Sequence, residues 1–312
     1  MIKSKTRVLF RLGDRIFPKI TLLCSLIVVA ILVNILIILF IQAWPAIKVS
    51  GFSFLAGKNW DPVKNAYGAL PAVYGTLLSS LLALVIAIPV SLGSAIFLTE
   101  IAPSWLRSIA SFIIEILAAI PSVIVGLWGL FVLVPVVRNP IESWLGTHLG
   151  SLPFFQGPPF GFGFMAAAII LAIMIIPIIT SLGRDVLKSV PSAQREGMLA
   201  LGSTRWEMIS RAVLPYGRSG LIGAIMLGLG RALGETMAVT MVIGNGYRVT
   251  ASLFSPGTTV ASKLASDFSE SSGISLNSLI ELGLILFVIT LSVNVIARLL
   301  IWRLTSVKGK TD

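Results

Sequence analysis

The main pattern along the chain is a series of long apolar runs separated by short polar segments. An α-helix needs about 20 apolar residues to cross about 30 Å of hydrocarbon, since each residue advances about 1.5 Å. Six runs reach this length: residues 20–43, 71–98, 108–136, 163–183, 219–243 and 277–301. The pattern predicts an all-α membrane protein with six transmembrane helices.

Composition excludes most other classes of protein. Of the 312 residues, 56% are hydrophobic and 12% are charged, whereas a soluble domain carries about 25% charged residues. One cysteine, Cys24, rules out a disulfide framework. One histidine, His148, leaves no His/Cys cluster for zinc. Its position in a Gly/Pro-bounded loop, far from any acid-base partner, argues against a Ser-His-Asp hydrolase.

The basic residues predict how the chain is oriented. With the N-terminus inside, most of the 24 Lys and Arg residues fall on the cytoplasmic side, as the positive-inside rule requires. The net charge of +11 is then a topology signal, and no nucleic-acid partner is needed. We expect a cytoplasmic N-terminal tail (1–19), a first helix (20–43), an outer loop (44–70), a transmembrane domain (71–302) and a cytoplasmic C-terminal tail (303–312).

Two kinds of residue predict irregular or close helix packing within the spans. Pro121 is one of four prolines expected to remove a helix hydrogen bond and favour a kink. Glycines recur through the fifth run, where they allow neighbouring helices to approach closely. We therefore expect the fifth helix to be packed inside the bundle; its glycines are Gly220, Gly223, Gly228, Gly230 and Gly234.

The inner loop 184–218 is predicted to form two short helices. The first has Pro191 in its first turn and ends at Gly202. The second begins at Thr204, because Thr204-Arg205-Trp206-Glu207 fits a capping box, and ends at Pro215. Its apolar face contains Trp206, Ile209 and Val213. This face fits either a helix lying on the membrane surface or a helix that docks into a soluble partner.

This loop resembles the Glu-Ala-Ala loop of bacterial ABC importer permeases. Glu196-Gly197-Met198 is followed six positions after Glu196 by Gly202, and then by Leu214-Pro215, although both alanines are replaced. The resemblance implies that residues 196–215 form the coupling helix that inserts into an ATPase subunit. The residues it assigns to that contact are Glu196, Gly202, Thr204, Arg205, Trp206, Leu214 and Pro215.

No ATP site is predicted on the chain. Gly309-Lys310-Thr311 lacks the first glycine of a phosphate-binding loop, since Leu304 stands there. The segment 228–234 has one residue too many for the dinucleotide fingerprint and no preceding strand. We expect no cofactor and no enzymatic activity here, with ATP and Mg²⁺ held by partner subunits.

Four ionisable residues fall within the apolar runs: Glu115, Arg231, Glu235 and Glu281. A charge at the bilayer centre costs about 2.5–3.5 kcal/mol on insertion scales, so each needs a partner or a role. We expect a structural hydrogen bond for Glu115 and contact with outer water for Glu281. Arg231 and Glu235, at i and i+4 on one helical face, form either a self-neutralising pair or a stop for a passing anion.

The sequence around this pair resembles phosphate importer permeases of the PstC type. The resemblance rests on residues 228–239, 119–129, 157–161 and 281–283. It implies a type I ABC importer in the bacterial inner membrane, with Arg231 and Glu235 in the substrate pathway. The implied partners are a PstA-type permease, two ATPase subunits and an external phosphate-binding protein, besides membrane lipid.

Three alternatives stay open. The first alternative is an ABC importer permease whose substrate is another oxyanion, such as molybdate or sulfate. An ATP-independent anion transporter or channel needs no coupling helix, and an intramembrane enzyme needs paired catalytic groups. Neither of these two classes accounts for the loop 196–215.

Overall fold

The structure is a computed structural model that describes the backbone of residues 2–306 and the side chains of residues 16–299 and 302. Parts of both predicted tails, and the segment 309–311, therefore lie outside the described residues. The prediction of six spans is confirmed, since six helices are long and apolar enough to cross a membrane. They are Ile16–Ser50, Leu70–Ile101, Ser122–Leu149, Phe164–Lys188, Arg205–Gly234 and Ile274–Leu299.

The elements up to the middle of the chain are almost all helical. Helix α1 (Ile2–Ser50) is followed by α2 (Ser53–Ala56), the short antiparallel strands β1 (Trp60–Asp61) and β2 (Ala66–Tyr67), and α3 (Leu70–Ile96). Helix α4 (Ser104–Ala119) precedes a continuous helical run through α5 (Ser122–Trp128), α6 (Val134–Val136) and α7 (Ser143–Leu149), in which π-helical turns join the three segments.

The second half contains the central helix and the polar connection. Helix α8 (Phe164–Lys188) is followed by α9 (Ser192–Ala200) and α10 (Arg205–Met208). A π-helical turn (Ile209–Val213) joins α10 to α11 (Leu214–Gly234). The chain ends with α12 (Met237–Val242), α13 (Val260–Asp267) and α14 (Ile274–Ser306). We call residues 192–213 the elbow, and the ends of the spans beside it the elbow end.

Helix α8 forms the centre of the core, where it packs against α3, α4 and α11. Its most apolar stretch is 67% buried, whereas that of α1 is 0% buried. A helix that is hydrophobic all round belongs in such a position, and Ile170, Ile175 and Ile179 are fully buried there. Helix α1 contacts the bundle through α14 and leaves most of its apolar surface exposed.

The third apolar run, predicted as one span over 108–136, is divided in the structure. Helix α4 ends at Ala119, Ile120 and Pro121 are extended, and a new helix begins at Ser122. Pro121 has no N–H to continue the hydrogen-bond ladder of α4, so the chain breaks instead of kinking. The 16 residues of α4 span only about 24 Å, less than the thickness of the hydrocarbon.

Pro215 does not end a helix, contrary to the prediction. It lies in the first turn of α11, and the helix is continuous from Arg205 to Gly234. The π-helical turn just before it shifts the hydrogen-bond pattern, and a proline at the start of the next segment lacks only an N–H that needs no partner there.

The fifth apolar run, predicted as 219–243, stops as a helix at Gly234 and resumes at Met237. The glycines of α11 predict close packing against neighbouring helices, but only one face of α11 is packed in this way. A Cβ at Gly228 would lie 2.7 Å from the Ile179 side chain on α8, whereas at Gly223, Gly230 and Gly234 it would meet nothing within 4 Å. The second face is therefore open in the isolated chain.

At the end of the bundle opposite the elbow, an aromatic cluster joins the β hairpin to α13. The Lys263 ammonium lies 5.3 Å from the Trp60 ring centroid and 5.2 Å from that of Tyr247, and it pairs with Asp267 at 2.6 Å. The Tyr247 hydroxyl donates to the Gly68 carbonyl. Burial raises the pKa of the Tyr247 hydroxyl, and the nearby Asp267 carboxylate adds to the shift.

Candidate functional site

The predicted Arg231/Glu235 pair lies where a transmembrane helix is interrupted. Arg231 is in the last turn of α11, and Glu235 follows the helix in an extended conformation with φ −69° and ψ 127°. The two residues therefore do not share one helical face, and no ion pair within 4.0 Å joins them. Instead, a Glu235 carboxylate oxygen accepts from the Ala238 N–H at 3.4 Å.

The prediction of one helical face was wrong because i and i+4 spacing defines a face only while the helix continues. A signal for the break was present in the sequence. Gly234 is a common residue at helix ends, and an acidic side chain three residues before Ala238 is placed to cap the next helix. Glu235 thus holds the start of α12.

Arg231 is exposed and has no ion-pair partner among the residues that the structure describes. Its neighbours on the same side of α11 are Leu227, which is 62% exposed, and the open positions Gly230 and Gly234. The guanidinium is therefore displayed on a face that the core of this chain does not cover. An arginine fork in this setting is available to an oxyanion or to another subunit.

A second interruption lies close to the first. Helix α5, which begins after Pro121, packs against α12: a Cβ at Gly126 would lie 2.9 Å from the Ala238 Cα and 2.7 Å from the Met241 sulfur. Two interrupted helices thus meet within the bundle. In membrane transporters, irregular backbone at this depth is tolerated where it lines a cavity or a binding site.

The other two ionisable residues of the apolar runs have different surroundings. Glu115, on α4, makes the expected structural hydrogen bond, since Arg184 Nη2 donates to it at 3.1 Å and also pairs with Asp185 at 3.0 Å. Glu281 was expected to reach water but is only 6% exposed, because α14 turns it toward the bundle. One of its carboxylate oxygens has no hydrogen-bond partner in the described structure.

The elbow has the capping box that its sequence predicts. The Glu207 N–H donates to the Thr204 hydroxyl oxygen at 3.3 Å, and the Thr204 N–H donates to the Glu207 carboxylate at 2.9 Å. The preceding helix ends at Ala200, and Gly202 adopts φ +80°, a left-handed conformation that favours glycine. The elbow is thus two helices joined at a sharp, well-defined turn.

The predicted apolar face of the elbow is divided in the structure. Ile209 and Val213 are buried against the elbow end of the spans, with Leu187 and Ala95. Trp206 is instead 69% exposed, because α10 turns it away from the bundle. Among the other coupling residues, Glu196, Gly202, Thr204 and Arg205 are exposed, and Leu214 and Pro215 are half-buried.

One contact between the elbow and the spans was not predicted from the sequence. Arg195, on α9, binds Glu100, at the end of the α3 span, through Nη2 at 2.9 Å and Nε at 3.2 Å. Arg195 also donates to the carbonyls of Leu187 and Val190. The one available signal was that Glu100 ends a charge-free stretch, but its partner lies 95 residues away.

No metal site is apparent: across the described side chains, no group of three or more His, Cys, Asp or Glu residues is placed to hold a metal ion. The features available for chemistry are the exposed guanidinium of Arg231 and the exposed surface of the elbow.

Residues 87–306 match the family described as the binding-protein-dependent transport system inner membrane component. The chain belongs to this family. With six apolar helices of spanning length, this inner membrane component is a multi-pass membrane protein.

Curated relatives extend the match to almost the whole chain. The Phosphate transport system permease protein PstC of Haemophilus influenzae is 50% identical over 95% of this chain and 96% of its own length. The PstC protein of Mesorhizobium japonicum is 45% identical, covering 96% and 93%. PstC 2 of Mycobacterium tuberculosis is 43% identical, covering 92% and 91%.

Solved structures show the same fold at low identity. An inward-facing MetNI methionine ABC transporter aligns with TM-score 0.56 and 15% identity, covering 76% of this chain and 95% of that one. A bacterial ABC transporter for the acidic polysaccharide alginate aligns with TM-score 0.55 and 20% identity, covering 75% and 79%. The inner membrane component thus has the type I fold of ABC importer permeases.

Proposed function

We propose that this chain is a PstC-type permease subunit of an ATP-driven importer of inorganic phosphate in the bacterial inner membrane. It forms half of the translocation channel together with a PstA-type permease. Two ATPase subunits bind at the elbow, and an external phosphate-binding protein delivers phosphate at the opposite end. The observation that carries the proposal is Arg231, which is exposed at an interrupted transmembrane helix and has no ion-pair partner among the described residues.

Arg231 serves as the stopping point for the anion. A cation within the membrane is costly unless it has a partner, and the described residues of this chain supply none. A tetrahedral oxyanion matches the two parallel N–H groups of a guanidinium. Because Arg231 faces away from the core of its own chain, we assign the pathway to the interface with the second permease.

Glu235 has two roles: it stabilises the chain where the helix is interrupted, and it discriminates between protonated and unprotonated oxyanions. Its carboxylate holds the N-terminus of α12 through Ala238. Its second oxygen remains able to accept a hydrogen bond from the O–H group of hydrogen phosphate, a group that sulfate at neutral pH lacks. This chemistry favours phosphate over sulfate, in agreement with the names of the curated relatives.

The elbow couples this site to ATP turnover. Exposed Trp206 and Arg205 contact the ATPase subunit, and the Arg195–Glu100 pair passes the movement to α3. ATP and Mg²⁺ are held by the ATPase subunits, so this chain is not itself an enzyme and carries no cofactor. The excess of basic residues in these segments supports a cytoplasmic position for the elbow and both termini.

The deciding experiment is reconstitution of the importer in proteoliposomes with and without the ATPase subunits. We expect ATP-dependent uptake of labelled phosphate that disappears without them. Uptake without the ATPases would support an ATP-independent transporter. Inhibition by sulfate or molybdate at concentrations equal to phosphate would identify another oxyanion as the substrate.

Two sets of variants test the site within that assay. Arg231→Ala is expected to abolish most uptake, whereas Arg248→Ala, at another exposed arginine, retains it. Glu235→Gln keeps an acceptor for the Ala238 N–H and loses the charge, while Glu235→Ala loses both. Undiminished uptake in Arg231→Ala and Glu235→Gln would remove both residues from the mechanism.

A further inference from the structure

A groove of about 460 Å³ opens at the end of the bundle opposite the elbow. One wall is the helical stretch 142–150, at the end of the third span, and the other is the loop stretch 155–159. The Gly161 N–H donates to a Glu142 carboxylate oxygen at 2.8 Å and ties the loop to the helix, just before α8 begins at Phe164. None of the lining residues belongs to α11 or α12, so the groove is separate from the Arg231 site.

Two glycines keep the helical wall of the groove free of side chains. Glu142, Gly146 and Gly150 are spaced four positions apart, so they share one helical face, and all three line the groove. Ser143 and Thr147, beside that face, add hydroxyl groups to the lining. The groove therefore runs along the two glycines to Glu142, which lies at its base.

The Glu142 carboxylate at the base is only half satisfied. The side chain is 0% exposed. One oxygen accepts from Gly161, whereas the other, Oε1, has no hydrogen-bond partner among the described residues. A buried acceptor without a donor is costly, because it has lost its hydration and gained nothing in return. A donor that enters the groove would remove this cost.

Charge decides what kind of donor fits. Glu142 is the one ionisable residue among those that line the groove, and the lining contains no basic side chain. Arg138, about one turn earlier, is exposed, and no ion pair within 4.0 Å joins it to Glu142. The complementary occupant is therefore a cation. Only one carboxylate oxygen is open, which suits the single charge of an ammonium better than the two-pronged guanidinium.

The position and lining of the groove indicate where such an ammonium comes from. The loop wall lies beyond the span, which ends at Leu149. Phe155 and Pro159 are the larger apolar residues of the lining, enough to cover the aliphatic stem of a lysine but too few to cover an acyl chain. Phe154 and Phe160, in the same loop, are 52% and 48% exposed. Exposed aromatic residues around a recessed charge are typical of a protein-binding surface.

We propose that this groove receives a lysine side chain of the external phosphate-binding protein. The inference rests on the proposed function, which supplies that partner at this end of the bundle. The lysine stem lies along Phe155, and its ammonium donates to Glu142 Oε1 and to the Thr147 hydroxyl oxygen. A side-chain adjustment of the kind common at interfaces lets the ammonium reach the buried oxygen.

The test measures docking and transport on the intact importer complex in nanodiscs. Biolayer interferometry gives the Kd of the external protein, and ATP-dependent uptake is followed as its concentration rises. Glu142→Gln keeps an acceptor for the Gly161 N–H and loses the charge. We expect it to weaken binding about tenfold and to reduce the dependence of binding on salt, with uptake at saturating external protein unchanged. Glu270→Gln, at an exposed acid of the same end, is the matched control and should bind as the wild type does.

Three results would overturn the proposal. The first is an unchanged Kd in Glu142→Gln. The second is a loss of uptake at saturation together with a lower unfolding temperature in that variant, which would mark a structural role only. The third comes from a photo-crosslinker at position 147: capture of a lysine-containing peptide of the external protein supports the proposal, whereas capture of phosphatidylethanolamine alone contradicts it. Wild-type complex that takes up no phosphate would instead contradict the proposed function, so the two failures are distinguishable.

Discussion

Replacing Arg195 with alanine removes the contact between the elbow and the α3 span. The guanidinium makes two hydrogen bonds to Glu100, at 2.9 Å and 3.2 Å, and two more to the backbone carbonyls of Leu187 and Val190. The Glu100 side chain is only 6% exposed. The variant therefore leaves a buried carboxylate without its donor and removes one hydrogen bond from each carbonyl, although the Leu187 carbonyl still accepts from the Val190 N–H.

The expected cost follows from this burial. Removing one partner of a buried ion pair costs about 3–5 kcal/mol. Because 20% of the Arg195 side-chain surface remains exposed to solvent, we take the lower value, about 3 kcal/mol. This free energy shifts the equilibrium between the attached and the detached elbow about 150-fold. Glu100→Gln keeps an acceptor and should cost less, about 1–2 kcal/mol.

The assay measures phosphate uptake and ATP hydrolysis together in proteoliposomes. We expect Arg195→Ala to hydrolyse ATP but to transport less phosphate per ATP, because the ATPase moves an elbow that no longer pulls α3. Lys58→Ala, at an exposed lysine near the opposite end, is the matched control. In a double-mutant cycle, Glu100→Ala should cost much less when Arg195 is already alanine.

This reasoning is refuted if Arg195→Ala transports as much phosphate per ATP as the wild type and unfolds at the same temperature. It is also refuted if the Arg195 and Glu100 substitutions are additive in the cycle, since additivity means that the two side chains do not depend on each other.

Three further predictions concern stability. Thr204→Ala should lower the free energy of unfolding by about 0.5–2 kcal/mol through loss of the cap, with Thr204→Ser as the control, in chemical denaturation. Gly228→Ala, whose Cβ would lie 2.7 Å from Ile179, should destabilise by about 1–3 kcal/mol, whereas Gly230→Ala should not; equal effects would contradict the packing. The raised pKa of Tyr247 predicts stability that is present below pH 10.0 and lost above it. The advantage of the wild type over Tyr247→Phe should therefore shrink in alkaline unfolding curves; a constant difference would contradict this.

The number of membrane spans can be inferred from the amino-acid sequence alone. Apolar runs of spanning length give the number of spans, six, because the bilayer requires a minimum length of continuous apolar helix. The third run is the exception in position, since it is divided at Pro121 and the span begins at Ser122. The capping box at Thr204 is equally local, since its two hydrogen bonds join residues three positions apart. Such features need no knowledge of distant contacts.

Other features depend on how the helices pack. Arg195 and Glu100 meet only because α9 folds back onto the end of α3, and nothing in the spacing of residues 95 positions apart encodes that approach. Likewise, Gly228 and Gly230 look alike in the sequence, yet one contacts α8 and the other is open. The break at Glu235 frees Arg231 from the pair that helical spacing predicts, because the carboxylate instead caps the next helix. Long-range packing and this local competition for a hydrogen bond, rather than periodicity, thus determined the surroundings of Arg231.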